Sequence, residues 1–392
     1  MVRWTSHYWM VLLLSITAAT TAADKIAHDP DLEIIPPEEA AQIGNIVKLT
    51  VAQMQKRYGG EKPILRGVHP KDHGCVRAKF RVLDNLPASL RVGVFAEPGK
   101  EYDAVIRFSN AAVQVTPDST PAAHGSRGMA IKLVKVTGGR LFEYDEPLTQ
   151  DFLMVNHPVF AFANVEDYEA LSTVLLEDND NPTRFFLERL KPTPAAPDMT
   201  IPMTRRAANT KRIVTKIQSS ALTGPTAAYQ PPPASPVDNQ YFSGAPYLFG
   251  PDRVMKYSAK PVAPGNAAPD IANPDYLRAN LLKQLTACNA TEIAFDFLVQ
   301  VRTKAQLAGK LETEIEDACT EWKDDFQAVA RIVIPPQDFD TPAARKLCED
   351  LFFTPWHSIA EHQPIGGINR LKLGVYQASS QFRHLPKEPA GF

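Results

Sequence analysis

The chain has 392 residues, which is enough for one large domain or two smaller ones. It is 44% hydrophobic and 22% charged, as expected for a globular protein with a substantial core. Its formal net charge of -2 gives no electrostatic reason to expect a nucleic-acid partner.

The first 23 residues have the features of a secretory signal peptide. Arg3 is followed by an apolar run from Tyr8 to Ala18 and then by a tract of small residues that ends at Ala23. A membrane anchor is the alternative, but the run is shorter than the roughly 18 residues that a spanning helix needs. We therefore expect cleavage after Ala23 and a secreted or periplasmic protein with no membrane span.

Residues 24–60 are predicted to form an N-terminal helical arm. The segment Pro-Pro-Glu-Glu at 36–39 is typical of a helix start, and the glycine pair at 59–60 is typical of a helix end. Apolar residues between these signals recur with helical spacing, which indicates a packing helix without chemistry of its own.

A stretch near residue 70 combines two histidines with the start of a strand. Residues 66–74 read Arg-Gly-Val-His-Pro-Lys-Asp-His-Gly, and apolar and basic residues then alternate over 75–82 with the period of a half-buried strand. His69 and His73 have a spacing that binds zinc from one helical face, but the proline and glycine that follow them argue against a helix. We therefore expect His73 to be structural and His69, three residues after Arg66, to be available for acid–base chemistry beside an anion.

Strand alternation continues to about residue 134. In the predicted strand 104–109, Arg107 and Ser109 point to the same face. An arginine with apolar neighbours needs an anionic partner, because burying it unpaired is costly. Another strand is predicted over 129–134, and an apolar run from 151 ends at Asn156.

The rest of the chain is predicted to alternate between helices, loops and strands. Helical segments over 165–225 and proline-rich loops over 225–275 precede strands at 293–301 and 331–334, and helices are predicted over 343–352 and 368–383. Strands on both sides of a helical, loop-rich middle predict an α+β protein, with one closed antiparallel β-barrel, appended helices and long wrapping loops.

The four cysteines and the missing motifs limit the chemistry further. Cysteine spacing fits no zinc template, and one disulfide among Cys288, Cys319 and Cys348 is compatible with the sequence, which does not say which two pair. The chain lacks the Gly-x-Ser-x-Gly elbow of α/β-hydrolases and has no glycine-rich phosphate loop.

Three motifs, in order and spacing, resemble those of the haem catalases. They are Arg-Gly-Val-His-Pro-Lys at 66–71, Val-Ile-Arg-Phe-Ser at 105–109 and Arg-Gly-Met-Ala-Ile-Lys at 127–132. Tyr376, with Arg383 seven residues later, looks like the catalase segment that supplies the axial tyrosinate.

The resemblance runs from about residue 60 to 385 and implies one catalase-like domain over 61–392 that binds haem b. The chain lacks the length for the extra C-terminal parts of full catalases. It is similar to the shorter catalase-related proteins, which include peroxidase-like members and allene oxide synthases.

The resemblance also implies roles for individual side chains. His69 matches the distal histidine that moves a proton between the two peroxide oxygens, and Ser109 matches the serine that orients its imidazole. Tyr376 matches the proximal ligand, which binds iron as a phenolate. Three arginines match those that hold the haem propionates, namely Arg66, Arg107 and Arg383.

Three further positions are assigned with departures from the family pattern. Asn156 is assigned as the distal asparagine, although an ungapped match anchored on Pro158 puts Val155 there, and a one-residue slip turns a side chain to the other face. Lys372 replaces a catalase arginine that stabilises the phenolate, and lysine lacks the forked donor geometry. Tyr168 falls about where catalases place a phenylalanine over the haem.

Val68, before the histidine, resembles true catalases, whereas allene oxide synthases have threonine there. We therefore predict a secreted haem-dependent peroxidase that reduces hydrogen peroxide or organic hydroperoxides, with catalase activity left open. The alternatives are a lipid hydroperoxide isomerase and a non-catalytic haem-binding protein. The expected partners are a small-molecule peroxide and an organic reductant, without nucleic acid, and a homo-oligomer is left open.

Overall fold

The computed structural model describes residues 26, 28–60, 63–119, 126–142, 149–160, 162–185, 233–265, 267–384 and 389. The predicted signal peptide, the helical segments predicted after residue 185 and the first proline-rich loop residues lie outside this part of the chain. Within it, no helix combines the length and the apolar character that crossing a membrane requires.

Across these residues the strands form one antiparallel sheet. The strands are β1 (Asp72–Val82), β2 (Glu101–Asn110), β3 (Arg127–Val134), β4 (Thr149–Val155), β5 (Tyr241–Phe242), β6 (Tyr247–Leu248), β7 (Arg253–Pro261), β8 (Ile293–Thr303) and β9 (Gln327–Ile334). Their order is β5-β4-β3-β2-β1-β9-β8-β7-β6, and β5 also pairs with β7. Eight strands thereby close into a barrel, with β6 added beside β7, which confirms the predicted closed antiparallel barrel.

Helices lie before, between and after the strands. The helices in the described residues are α1 (Glu39–Tyr58), α2 (Val165–Glu177), α3 (Tyr276–Thr286), α4 (Lys304–Leu307), α5 (Leu311–Glu314), α6 (Pro342–Asp350) and α7 (Gly367–Phe382). The arm helix α1 ends at Tyr58 with Gly59 as its C-cap, and it packs against both α2 and α7. Helix α6 packs against β1.

The barrel interior is a packed aromatic core. Phe80, Phe152 and Phe297 are all fully buried there, and the ring of Phe297 lies 5.1 Å from that of Phe80 and 4.9 Å from that of Phe152. Such a filled interior leaves side chains on the outer wall as the candidates for ligand binding.

Strand register places two rows of residues on that outer wall. Cys75 is the cross-strand partner of Arg107, which in turn pairs with Ala130 of β3. One step along, Ser109 pairs with Gly128, and Gly128 pairs with Val155 of β4. The residues between them in each strand belong to the barrel core, so both rows face outward.

A disulfide fastens α6 to this wall. Cys75 of β1 and Cys348 of α6 are bonded, with their Cα atoms 5.4 Å apart. A disulfide among the last three cysteines, which the sequence left open, does not form, because Cys348 is bonded to Cys75 and Cys288 is not bonded to Cys319. The alternation of β1 turns Cys75 outward, where α6 docks, and that docking is a tertiary contact with no local sequence signal.

Arg370, in the first turn of α7, ties the N-terminal arm to that helix. Its guanidinium pairs with Glu33, with Glu39 at 2.6 Å and with Glu316 at 2.8 Å. Burial raises the pKa of Glu316 although Arg370 opposes the shift. One arginine thus pairs with three largely buried carboxylates. Without it the carboxylates would lack a cation, so the cluster stabilises the fold only while the arginine is present.

Candidate active site

His69 lies in the loop just before β1, against the outer barrel wall. Its φ of 55° is in the left-handed region, which costs energy for a residue with a side chain. Its Nδ1 is 3.0 Å from the Ser109 hydroxyl oxygen, and Arg107 Nη2 donates to its carbonyl oxygen at 2.8 Å. The outer row of β2 therefore holds both the ring and the backbone of His69.

The imidazole of His69 is held neutral. Burial lowers its pKa to about 3, and the positive charges of Arg107, Lys372 and Arg66 act in the same direction. At neutral pH the ring can therefore accept a proton. Within the described residues no hydrogen bond engages its Nε2, which leaves that atom available for proton transfer.

Gly128 makes the space that His69 occupies. A Cβ atom at this position would lie 2.5 Å from His69 Nδ1 and 2.8 Å from the Ser109 hydroxyl oxygen. Any side chain there would push the imidazole away from Ser109. The sequence reasoning used this glycine only as part of a motif and missed its steric role.

Arg107 is a buried cation without a carboxylate partner in the described part of the chain. It is 4% exposed, and its Nε makes no hydrogen bond. Burial lowers its pKa to about 9, with a further contribution from the charge of Arg66. The described residues supply no carboxylate partner for this arginine, so the donors that do not bond the His69 carbonyl are available to a bound anion.

Arg66 and Arg383 lie beside it and share one carboxylate. Glu349 of α6 accepts from Arg66 Nη1 at 2.8 Å and from Arg383 Nη2 at 2.9 Å. Arg66 Nη2 also donates to three carbonyl oxygens at the end of α6. Burial lowers the pKa of Arg383 to about 10, and its buried Nε has no hydrogen-bond partner among these residues. Glu349 had no sequence signal and was missed.

Tyr376 faces this region from α7. Its ring packs in the cluster that includes Tyr168 and Phe160. Burial raises the pKa of the Tyr376 phenol, and the charge of Arg107 partly opposes that shift. The Gly67 N–H donates to Ser379 Oγ of α7 at 3.2 Å, so the loop that carries His69 and the helix that carries Tyr376 are in direct contact.

Lys372 precedes Tyr376 by one helical turn. Its Nζ donates to Asn369 Oδ1 at 3.1 Å and lies 4.8 Å from the centre of the Phe160 ring. Burial lowers its pKa to about 7. A partly neutral lysine at neutral pH differs from the permanently charged arginine that the family resemblance implies at this position.

The structure places the remaining candidates as follows. Asn156 Oδ1 accepts from the Arg127 N–H at 2.8 Å and its Nδ2 donates to Asn239 at 3.4 Å, whereas Val155 belongs to the outer row with Gly128. The catalytic role of Asn156 stays a prediction. Tyr168 packs edge-on against Phe162, and burial raises its pKa to about 12.

His73 lies apart from these residues, and its expected structural role stays a prediction. Its ring is fully buried, and Nε2 lies 3.0 Å from Asn110 Oδ1. Burial lowers its pKa well below the ordinary value. Among the described residues no group of three or more histidine, cysteine and carboxylate side chains is arranged to hold a metal ion.

Comparison with known proteins identifies the fold. No protein-family model matches the chain, and no curated protein matches it. Solved structures do match, among them three at 17% identity. They are a bacterial catalase (TM-score 0.55, 82% of this chain and 57% of that chain), a fungal catalase (0.61, 83% and 61%) and catalase A from Saccharomyces cerevisiae (0.56, 82% and 61%). The chain thus spans 57% to 61% of the length of these catalases. It has the catalase fold, a closed eight-stranded antiparallel barrel with appended helices.

Proposed function

We propose that this chain is an exported haem-dependent peroxidase that reduces hydrogen peroxide or an organic hydroperoxide with electrons from an organic reductant. The observation that carries the proposal is the placement of three features together outside the barrel. These are the neutral His69 held by Ser109, the buried Arg107 that lacks a carboxylate partner, and Tyr376 on the contacting helix α7.

The donor set fits haem b. Arg107 and Arg383 each keep a buried Nε without a hydrogen-bond partner in the described residues, and a carboxylate is the acceptor that best satisfies a guanidinium. Propionates would bind at these two arginines and at Arg66, and the iron would be held by the Tyr376 phenolate. Tyr168 lies in the same cluster as Tyr376, beside the proposed cofactor.

The chain's own residues then supply the proton handling. Bound haem provides the redox chemistry that cleaves the peroxide O–O bond. His69, neutral at neutral pH, accepts a proton from one peroxide oxygen and returns it to the other. Ser109 holds the ring in place during both transfers. Lys372, one turn before Tyr376, is only partly charged at neutral pH and adds a fractional positive charge there.

Haem uptake tests the proposal first. Purified protein reconstituted with haemin should show a Soret band and the weak visible bands of a high-spin ferric tyrosinate. Tyr376→Phe should lose the tyrosinate spectrum, whereas Tyr102→Phe, a buried tyrosine of the barrel, should keep it. A protein that takes up no haem, or a Tyr376→Phe variant with an unchanged spectrum, contradicts the assignment.

Substrate assays separate the three candidate activities. Reductant-dependent dye oxidation with hydrogen peroxide supports the peroxidase, and oxygen evolution indicates catalase activity. Conversion of a fatty-acid hydroperoxide without consumption of reductant would instead identify an isomerase. Export is tested by N-terminal sequencing of the mature protein, which should begin after Ala23.

A further inference from the structure

Glu349 lies beside the three arginines Arg66, Arg107 and Arg383, which we call the arginine cluster. One carboxylate oxygen of Glu349 pairs with Arg66 and the other with Arg383. The carboxylate therefore uses donors on two of the three guanidinium groups that the proposed function assigns to propionates.

The three arginines are held to different degrees. Arg66 keeps three bonds to backbone carbonyls of residues 348, 349 and 351, so it stays anchored without Glu349. Arg383 also donates to the Glu349 carbonyl oxygen. Arg107 donates only to the His69 carbonyl oxygen in the described residues. The three arginines and the Glu349 carboxylate together carry a net charge of two positive units. Of the three guanidinium groups, that of Arg107 has the most N–H donors without an acceptor in the described residues.

The backbone of Glu349 is fixed, but its side chain is accessible. The preceding residue, Cys348, is bonded to Cys75, the strand neighbour of Arg107, so α6 cannot carry Glu349 away from the cluster. The Glu349 side chain is 28% exposed and is therefore in contact with solvent. A competing carboxylate can displace it by side-chain rotation alone.

We propose that Glu349 is an affinity-setting residue whose carboxylate competes with ligand carboxylates for Arg66 and Arg383. The competition lowers the affinity of the cluster for haem propionates and makes Arg107 their principal anchor. This inference rests on the proposed haem function and adds a role that the haem ligands alone do not define. Removing the negative charge of Glu349 should strengthen carboxylate binding, because Coulomb repulsion and competition for the same donors both disappear.

The test uses two metal-free porphyrins that differ only in their carboxylates. Protoporphyrin IX and its dimethyl ester are titrated into the full chain, and binding is followed by quenching of tryptophan fluorescence. Glu349→Gln should bind protoporphyrin IX roughly tenfold more tightly than the wild type does, which is equivalent to about one charge-assisted contact. It should bind the dimethyl ester with the same affinity as the wild type. The matched control is Glu97→Gln at the β1–β2 turn, the opposite end of that hairpin from Arg107. Its exposed carboxylate pairs with Lys100, and the substitution should leave both affinities unchanged.

A second variant protects the test against misfolding. Glu349→Asp keeps the charge but is too short to bridge both arginines, so its affinity for protoporphyrin IX should lie between those of wild type and Glu349→Gln. Weaker binding of protoporphyrin IX by both variants would show that Glu349 aligns the arginines and would overturn the proposal. An unchanged ratio of acid to ester affinity would overturn it as well. If the wild type binds neither porphyrin, the proposed haem function itself fails.

Discussion

The space left by Gly128 yields a sharp prediction about the orientation of His69. Gly128→Ala would place a methyl group 2.5 Å from His69 Nδ1 and 2.6 Å from its Cε1, whereas ordinary contact begins at 3.4 Å. The backbone of Gly128 is not in the left-handed region, so alanine adds no backbone strain. The imidazole must therefore retreat by close to an ångström and give up its hydrogen bond to Ser109.

The expected cost is that of overpacking a fitted site, about 1–3 kcal/mol. The clash involves one side chain, so it should vanish when that side chain is removed. In a His69→Ala background, Gly128→Ala should cost close to nothing, because the ring is gone and the Ser109 hydroxyl is free to rotate. A double-mutant cycle then isolates the contact, with a coupling energy close to the whole cost of the single variant.

The four proteins of this cycle are compared by urea unfolding, with far-UV circular dichroism as a check of the fold. Gly44→Ala is the control, since a Cβ at that position in α1 meets nothing within 4 Å, and it should stabilise by up to about 1 kcal/mol. An equal cost of Gly128→Ala with and without His69 would refute the reasoning. Under the proposed haem function, the single variant should also show peroxidase activity lower by roughly 10²–10⁴-fold, the contribution of a placed proton-transfer group.

Three other predictions concern stability. His69 has a folded pKa below its unfolded value, so its contribution to folding stability is complete above pH 6.5 and is lost as the pH falls towards about 3. The melting temperature of the wild type should therefore exceed that of His69→Gln by less and less across that pH range. A difference that stays constant with pH contradicts this prediction. Arg370→Met leaves three carboxylates without their cation, and it should lower the free energy of unfolding in urea by about 3–5 kcal/mol at pH 7. The loss should be smaller at pH 5, and an equal loss at both pH values would contradict the prediction. Replacing Cys75 and Cys348 together by serine should lower the free energy of unfolding by about 2–5 kcal/mol. The control Cys288→Ser should leave it unchanged. Equal stability of the double variant and the control would argue against the disulfide.

Most of the fold was predictable because its long strands carry a clear two-residue period. The strand predicted over 293–301 is β8, and the helix predicted over 368–383 is α7 almost to the residue. The short strands β5 and β6 were missed, since two residues cannot show alternation. Yet β5 pairs with both β4 and β7 and closes the barrel, so closure itself had to be inferred from the overall order of elements.

Local motifs pointed to several residues that the structure brings together. His69 and Ser109 lie within hydrogen-bond distance and Arg107 is buried, while their roles in catalysis and haem binding stay predictions. Glu349 and the Cys75–Cys348 bond depend on how α6 docks on the barrel, and no local pattern reports such docking. Neither feature could be derived before the tertiary contacts were known.

Barrel closure has a consequence for how the protein is made. Strand β1 pairs with β9, so the first strand to be synthesised waits with one open edge until the last has left the ribosome. The site has the same dependence, because His69 comes from the beginning of the domain and Tyr376 from its end. Folding is therefore expected to be slow and to require protection of the nascent strands. A chain that ends before α7 lacks Tyr376 and Arg383, so it should form neither the arginine cluster nor the complete candidate site.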